Sequence, residues 1–411
     1  LRNRLLAAFA VAGTLVLFAA MIWRGLHEPA DTNSFALLAD AFLKGRFDFT
    51  GCYDSECVAS GGKTYLIQPP FPALLVSPLV AVYGVHFHGF ILTAAVLVAV
   101  TLLVWWRILA KIGTPAATIF WVLIALFAST PLVYTAIRSD GVWLFAHVVG
   151  VLMVTLAIHE ALAARLLTAG LALGLAFLSR QMSLFLLPFI LAISLSHEAR
   201  IFLPSRETLV KGLKLGLAFA VPFAFYLIYN WTRFHPTSPT AFAAMMETGH
   251  SVLQKQSATS TDVTIITLRL RDIGVFSPVY VPFNAFYMFL QGFHAEFTGP
   301  YMTKLTGLDA AGSSFLAASP FLLFLFLAPR DRTLFWAVVS IVPIIALLLV
   351  YHSNGFKQYN AHRYVLDFMP VLLIFIARAI RTETRPIFGL LVSWGIVLNI
   401  AMVGVLAVTR G

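Results

Sequence analysis

Apolar runs long enough to cross a membrane recur along the whole chain. They cover Leu5–Trp23, Gly89–Trp106, Pro115–Ile137, Gly141–Ile158, Leu209–Tyr229, Ser313–Ala328, Thr333–Tyr351, Tyr364–Ile380 and Ile387–Val408. A helix needs about 17–25 mostly apolar residues to span a bilayer core. Composition agrees: of 411 residues, 60% are hydrophobic and 11% charged, whereas soluble domains carry roughly 25% charged residues. Such a chain is expected to fold as an all-α polytopic membrane protein with one transmembrane domain over residues 1–411. The first run lacks a small-residue cleavage pattern and is followed by further spans, so it reads as a span and not as a signal peptide.

The stretch Leu166–Ser196 has 31 residues and an arginine, Arg180, near its centre. As one helix it would be about 46 Å long, well beyond a bilayer core of roughly 30 Å. It therefore reads as two short helices meeting around Ser179-Arg180-Gln181, with Arg180 facing a polar cavity. That gives about eleven spans, the N-terminus inside and the C-terminus outside. Basic residues such as Arg107, Lys111, Arg165, Arg206, Lys211, Arg330, Arg378 and Arg381 collect in the short loops of the inner face, as the positive-inside rule requires. The net charge of +10 thus reads as topology and contact with anionic lipid headgroups, and nucleic acid is not an expected partner.

Two outer loops are long, residues 24–88 and 230–312. In the second, Phe276, Tyr280, Phe283, Phe286, Tyr287 and Phe289 surround Pro278 and Pro282. This pattern reads as a helix lying at the interface, where aromatic rings are favoured. The first loop holds both cysteines, Cys52 and Cys57, in CYDSEC. An oxidising outer compartment would pair them. Two sulfurs with no nearby histidine make an incomplete zinc site.

Ionisable groups at the outer boundary are the candidates for chemistry. Asp31 follows the first span and precedes Ser34–Leu43, whose spacing places Phe35, Leu38, Ala39, Phe42 and Leu43 on one face of a surface helix. Its bland alternative is a helix N-cap. Asp140 lies between two spans, with Arg138 two residues before it and His147 two turns later on the same face. Two carboxylates on one side could divide the work, one as general base and the other positioning a hydroxyl or a metal. Arg180 and Arg363 are the cation candidates. An i,i+4 ion pair with Asp367 is the bland alternative for Arg363. His86, His88 and His147 could bind a metal, but no strong ligand spacing supports one.

These pieces resemble the GT-C superfamily of membrane glycosyltransferases that use polyprenyl-phosphate sugars, in particular the protein O-mannosyltransferase and lipid A aminoarabinose transferase types. The resemblance rests on six segments in order: DTNSFALLADAFLKGR after the first span, YLIQPPFPALLVSPLVAVYG before the second, RSDGVW after the third, GLALGLAFLSRQ leading to Arg180, YNWTRFHPTSP with His235 in place of the family's glycine, and AHRYVLDFMP. It implies that Asp31 stands in the place of the catalytic carboxylate and Asp140 in that of the second acidic residue. It places Arg180 and Arg363 on the donor phosphate, and Arg138, His147, Tyr65, Gln68 and His362 around the substrates. Where aminoarabinose transferases carry a lysine, this chain has Gln68, so a lysine contact to lipid phosphate is missing there, and Arg180 and Arg363 are the candidates to substitute for it.

The implied reaction is an inverting transfer on the outer face of a bacterial inner membrane. A polyprenyl-phosphate sugar is the donor, and a lipid, glycan or protein hydroxyl is the acceptor. No cofactor is required by the resemblance, and a divalent metal stays open. An O-antigen polymerase or ligase is the first rival, although an aspartate directly after the first span favours the transferase. A lipid flippase or secondary transporter is the second. Transporters favour internal repeats and helices broken near mid-membrane, and the chain shows no repeat.

Overall fold

The computed structural model describes residues 2–54, 56–196, 205–234, 265–355 and 357–410. Among these residues six helices are long and apolar enough to cross a membrane: α1 (Arg2–Leu26), α4 (Phe90–Lys111), α7 (Val142–Leu162), α10 (Arg206–Phe234), Arg332–Val350 and Arg385–Arg410. A seventh is a bent pair, α5 (Ala116–Ala128) and α6 (Pro131–Ile137), inclined at 48°. The bend has a local cause. Pro131 occupies the first turn of α6, where its missing N–H costs nothing, and the Thr130 hydroxyl accepts from the backbone N–H of Leu132.

Eleven regular spans are not what the structure shows. Leu166–Ser196 does break where expected, into α8 (Leu166–Phe177), a 3-10 turn over Gln181–Leu186 and α9 (Leu187–Ser194). The expected span Ser313–Ala328 is a four-residue helix, Phe315–Ala318, followed by a 3-10 segment, Pro320–Leu327. The expected span Tyr364–Ile380 divides into a 3-10 turn, Arg363–Asp367, and a helix, Met369–Ala379. Hydropathy averaged over a window does not register these breaks, because the long flanking stretches Phe321–Leu327 and Val371–Ile376 are apolar. Irregular backbone at membrane depth is tolerated where protein surrounds it, and Arg363, Tyr364 and Asp367 are all buried.

Helix α7 is the hub. Buried residues make up 83% of its apolar stretch, against 22–50% for the other long helices, whose remaining faces are left for lipid. Close packing around it relies on small residues. A Cβ on Gly170 of α8 would stand 2.3 Å from the Leu215 carbonyl oxygen of α10, and one on Gly174 would stand 2.6 Å from Cγ of Pro222. Only glycine lets these backbones approach so closely.

The first outer loop contains α2 (Phe35–Leu43), a hairpin of β1 (Cys57–Ser60) and β2 (Lys63–Leu66), and α3 (Phe71–Tyr83). Gly61 and Gly62 both take positive φ, 56° and 77°, as a tight two-residue hairpin turn demands. Helix α2 differs from the expected surface helix. Ala36, Leu37 and Ala41 are buried along with Phe35, Leu38 and Ala39, because α3 packs against α2 and the loop that follows folds back over its N-terminus. In the second loop a second hairpin pairs Ala295–Thr298 with Lys304–Leu308. The aromatic stretch forms one irregular helical segment, Pro278–Leu290. Asn284 fastens it to the end of Arg332–Val350 by donating to the carbonyls of Leu348, Leu349 and Tyr351.

Candidate functional site

Between α8 and the 3-10 turn the backbone at Arg180 is extended, with φ −142° and ψ 103°. The side chain crosses α7 at Gly150, where a Cβ would stand 2.9 Å from Cγ of Arg180. This passage brings the guanidinium to Asp367. Nε donates to Oδ1 and Nη2 to Oδ2, each at 2.9 Å, in the parallel two-bond geometry that suits a carboxylate. His147 of α7 completes the cluster, with Nδ1 3.4 Å from Oδ1 of Asp367. The His147 ring is buried, and among the described residues neither of its nitrogens has a hydrogen-bond partner.

The carboxylate of Asp367, the bland i,i+4 partner of Arg363, accepts from Arg180. The i,i+4 rule assumes 3.6 residues per turn. Arg363–Asp367 is a 3-10 turn with about three residues per turn, which swings position i+4 away from position i. Arg363 is buried beside this pair, and its backbone N–H donates to Oε1 of Gln358. Both guanidiniums rest against one ring: Cζ of Arg180 lies 5.4 Å, and Cζ of Arg363 5.5 Å, from the centroid of Tyr364. His362, next in the chain, is buried with its ring 4.4 Å from that of Phe315.

The first outer loop supplies the acidic groups. Cys52 and Cys57 are joined by a disulfide with Cα atoms 6.2 Å apart. Asp54 lies against both sulfurs, but sulfurs bonded to each other offer no thiolate, so this group holds no metal by that route. The residues of the ring reach three different places. Tyr53 turns its hydroxyl toward Asp31, where it helps to lower that carboxyl, and its backbone N–H donates to Oγ of Ser34 at 3.1 Å. Asp54 accepts from the backbone N–H of Ser34 at 3.1 Å and of Glu56 at 2.8 Å. Glu56 accepts from Nε2 of Gln68 at 2.6 Å, and the indole of Trp143, in the first turn of α7, helps to lower its carboxyl.

Asp31 is not a helix cap. Helix α2 begins four residues later, and Asn33 and Asp54 accept from its first backbone N–H groups, those of Phe35 and Ser34. Asp31 sits instead in the left-handed region at φ 61°, which aspartate tolerates better than most residues. Its Oδ1 lies 2.8 Å from Nδ1 of His86. Hydrogen bonds from His86 and Tyr53 hold this exposed carboxyl below its ordinary value. Burial has the opposite effect on Glu56, whose carboxyl is pushed up to about 7, with Asp54 adding to the rise and the bonds from Gln68 and Trp143 and the charge of Arg363 opposing it.

Asp140 is buried between two guanidiniums, Nη2 of Arg24 at 2.8 Å and Nε of Arg138 at 3.1 Å. Arg138 is thus committed to Asp140. His147, expected on the same face as Asp140, meets Asp367 instead. Beside Asp140, Glu28 accepts from the backbone N–H groups of Phe90 and Ile91 at the head of α4. Burial pushes the Glu28 carboxyl up to about 7, and the charge of Asp140 contributes. Asn33 donates to the Ser139 carbonyl at 3.0 Å, which ties the segment after Asp31 to the one before Asp140.

Tyr65 stands apart from these clusters. Its ring packs on Phe234 at 5.5 Å. Nearby Arg233 lies 3.6 Å above the ring of Tyr229 and donates to the Leu66 carbonyl at 2.5 Å. The YNWTRF segment is thus a clasp between α10 and β2, and His235 with the rest of its turn falls outside the described residues. Sequence reasoning missed Glu56, Glu28, Tyr53 and Arg24.

No protein-family model matches the chain, and no curated protein matches it. Two solved structures are similar. One is ArnT from Cupriavidus metallidurans bound to undecaprenyl phosphate, at 15% identity and a TM-score of 0.46 over 90% of this chain. The other is the Archaeoglobus fulgidus oligosaccharyltransferase in the apo form, at 13% identity and a TM-score of 0.47 over 96% of this chain. The chain spans 59% and 56% of their respective lengths.

Proposed function

We propose that this protein is a membrane glycosyltransferase of GT-C type, moving a sugar from a polyprenyl-phosphate donor to a hydroxyl on the outer face of a bacterial inner membrane. The six ordered motifs support the class. The observation that carries the reading is how one short loop joins two kinds of site. Glu56 of that loop feels the charge of Arg363, in the arginine pair at Tyr364, while Tyr53 and Asp54 of the same loop bond Ser34, three residues after Asp31.

The chemistry follows from those groups. The donor's phosphate diester faces Arg363 and the free edge of Arg180, whose Nε and Nη2 are held by Asp367 while Nη1 makes neither of those bonds. Asp31 is ionised at neutral pH and takes the proton of the acceptor hydroxyl. The acceptor oxygen bonds to the anomeric carbon from the face opposite the leaving group, and the bond from that carbon to the phosphate oxygen breaks. The configuration inverts, and the electron pair departs on polyprenyl phosphate. Charge grows on the phosphate during the step, so fixed guanidiniums stabilise the transition state more than the ground state. His86 holds Asp31 in place. Asp140, neutralised by Arg24 and Arg138, orients the segment that carries Asp31 and is a positioning residue. If a divalent metal takes part, Asp31 and His86 are the pair that would hold it.

Mass spectrometry of glycolipids and glycoproteins from a strain lacking the gene tests the reading. The expected result is one glycan species missing its terminal or branching sugar, with the corresponding polyprenyl-phosphate sugar accumulating. An unchanged glycan profile and donor pool would overturn it.

A further inference from the structure

Glu56 is a carboxylate that the proposed mechanism leaves unused. Its place is fixed twice. Its backbone carbonyl accepts from the N–H of Ile67 at 2.9 Å, and its side chain accepts from Gln68 at 2.6 Å. The adjacent Cys57 closes the disulfide ring, so the residue cannot drift. The one side chain that hydrogen-bonds its carboxylate among the described residues, the amide of Gln68, is neutral, as is the Trp143 indole that also favours its charged form. The charges that act on it through space are Asp54, which repels it, and Arg363, which attracts it. Holding a desolvated carboxylate with neutral donors alone is costly. A neutral amide would anchor the loop to Gln68 at lower cost. A carboxylate kept there, across from a buried guanidinium, suits a ligand that donates hydrogen bonds at one end and carries negative charge at the other.

Resting on the donor class proposed above, we infer that Glu56 and Gln68 together bind a hydrogen-bond-donating ring substituent of the donor's sugar and thereby set which sugar the protein accepts. A sugar phosphate has the required polarity. With its phosphate on Arg363 and Arg180, its hydroxyl or amino groups face Glu56. Gln68 spends Nε2 on Glu56, which leaves its carbonyl oxygen to accept from a second substituent. In this arrangement Gln68 acts on the sugar and not on the phosphate, which is consistent with a neutral side chain where aminoarabinose transferases carry a lysine.

Binding to the purified full chain in detergent tests the inference. The probes are undecaprenyl phosphate itself and undecaprenyl phosphate linked to mannose, to glucose or to 4-amino-4-deoxyarabinose. Wild-type protein should bind one glycosylated lipid at least tenfold more tightly than the bare lipid phosphate. Preference for mannose or glucose assigns a hydroxyl to Glu56, and preference for the amino sugar assigns an ammonium. Glu56→Gln and Gln68→Met should each lose that preference while binding bare undecaprenyl phosphate within about threefold of wild type. The two substitutions nearly conserve volume, so loss of fold in one leaves the other informative. Wild-type-like preference in a folded variant, or equal wild-type binding of bare and glycosylated lipids, would overturn the inference. Binding of none of the lipids would overturn the donor class itself.

Discussion

Arg180 and Asp367 lie 187 positions apart and meet through two parallel hydrogen bonds of 2.9 Å. Each stands at a break in a short apolar helix, and Gly150 of α7 makes room for the arginine between them. Breaking one partner of such a buried pair leaves an uncompensated charge and costs roughly 3–5 kcal/mol, while replacing both with apolar groups is often neutral. Arg180→Ala should therefore lower the melting temperature in detergent sharply. Arg180→Met combined with Asp367→Leu should restore most of the stability but none of the turnover. Recovery of turnover by the double variant would show that the pair serves the fold alone.

Asp31 and His86 separate a base from the group that holds it. Asp31→Asn keeps the size of the side chain and removes its capacity to take a proton. Turnover should fall about 10²–10⁴-fold, the usual contribution of general base catalysis, with donor binding unchanged. His86→Ala should cost less and shift the lower limb of the pH–rate profile upward, because His86 is the principal cause of the lowered Asp31 carboxyl. An unmoved profile would remove His86 from the mechanism.

The positions of the helix breaks show how far the sequence could be read. The break at Arg180 was legible because 31 apolar residues are too long for one crossing and a charge sits at their centre. The breaks around Ser319 and Phe368 were not, since Phe321–Leu327 and Val371–Ile376 are as apolar as any lipid-facing helix. The candidate site was legible in its residue types and less so in its partnerships. Asp31, Asp140, Arg180 and Arg363 could be picked out by depth and motif. That Asp367 would choose Arg180 depends on a 3-10 turn that spacing does not reveal. Glu56 lay in view between the cysteines, but its contact with Gln68 depends on a tight Gly61-Gly62 hairpin that folds β1 onto β2.

The disulfide ring should support activity through what it positions. Its short loop gives a stabilisation of about 2 kcal/mol by the loop-length relation. Cys52→Ser with Cys57→Ser should lower the melting temperature modestly. Turnover should fall further than that loss explains, because Tyr53, Asp54 and Glu56 are all released from Asp31, Ser34 and Gln68. In protein purified without reductant, neither thiol should react with an alkylating agent. Rapid alkylation of both would contradict the bridge.

Stability should depend on pH through the buried acids. Glu28 and Glu56 both have carboxyls raised to about 7, above their unfolded value. Between roughly pH 4.5 and 7 the folded state then binds more protons than the unfolded state, so stability is greatest at the acidic end and falls as pH rises through about 7. The melting temperature should follow, and Glu56→Gln should flatten part of the slope. A wild-type melting temperature that rises across this window would show that neither acid is desolvated as described.

Turnover by purified protein bears most directly on the transferase reading. Undecaprenyl-phosphate sugars are supplied with an extract of cell-envelope lipids and proteins as acceptors, and release of undecaprenyl phosphate is followed by mass spectrometry. Wild-type protein should release it from one donor with the sugar appearing on an acceptor with inverted configuration, and Asp31→Asn protein should not. Retained configuration in the product, or equal release by wild-type and Asp31→Asn protein, would contradict the mechanism, and no release from any donor would contradict the transferase reading as a whole.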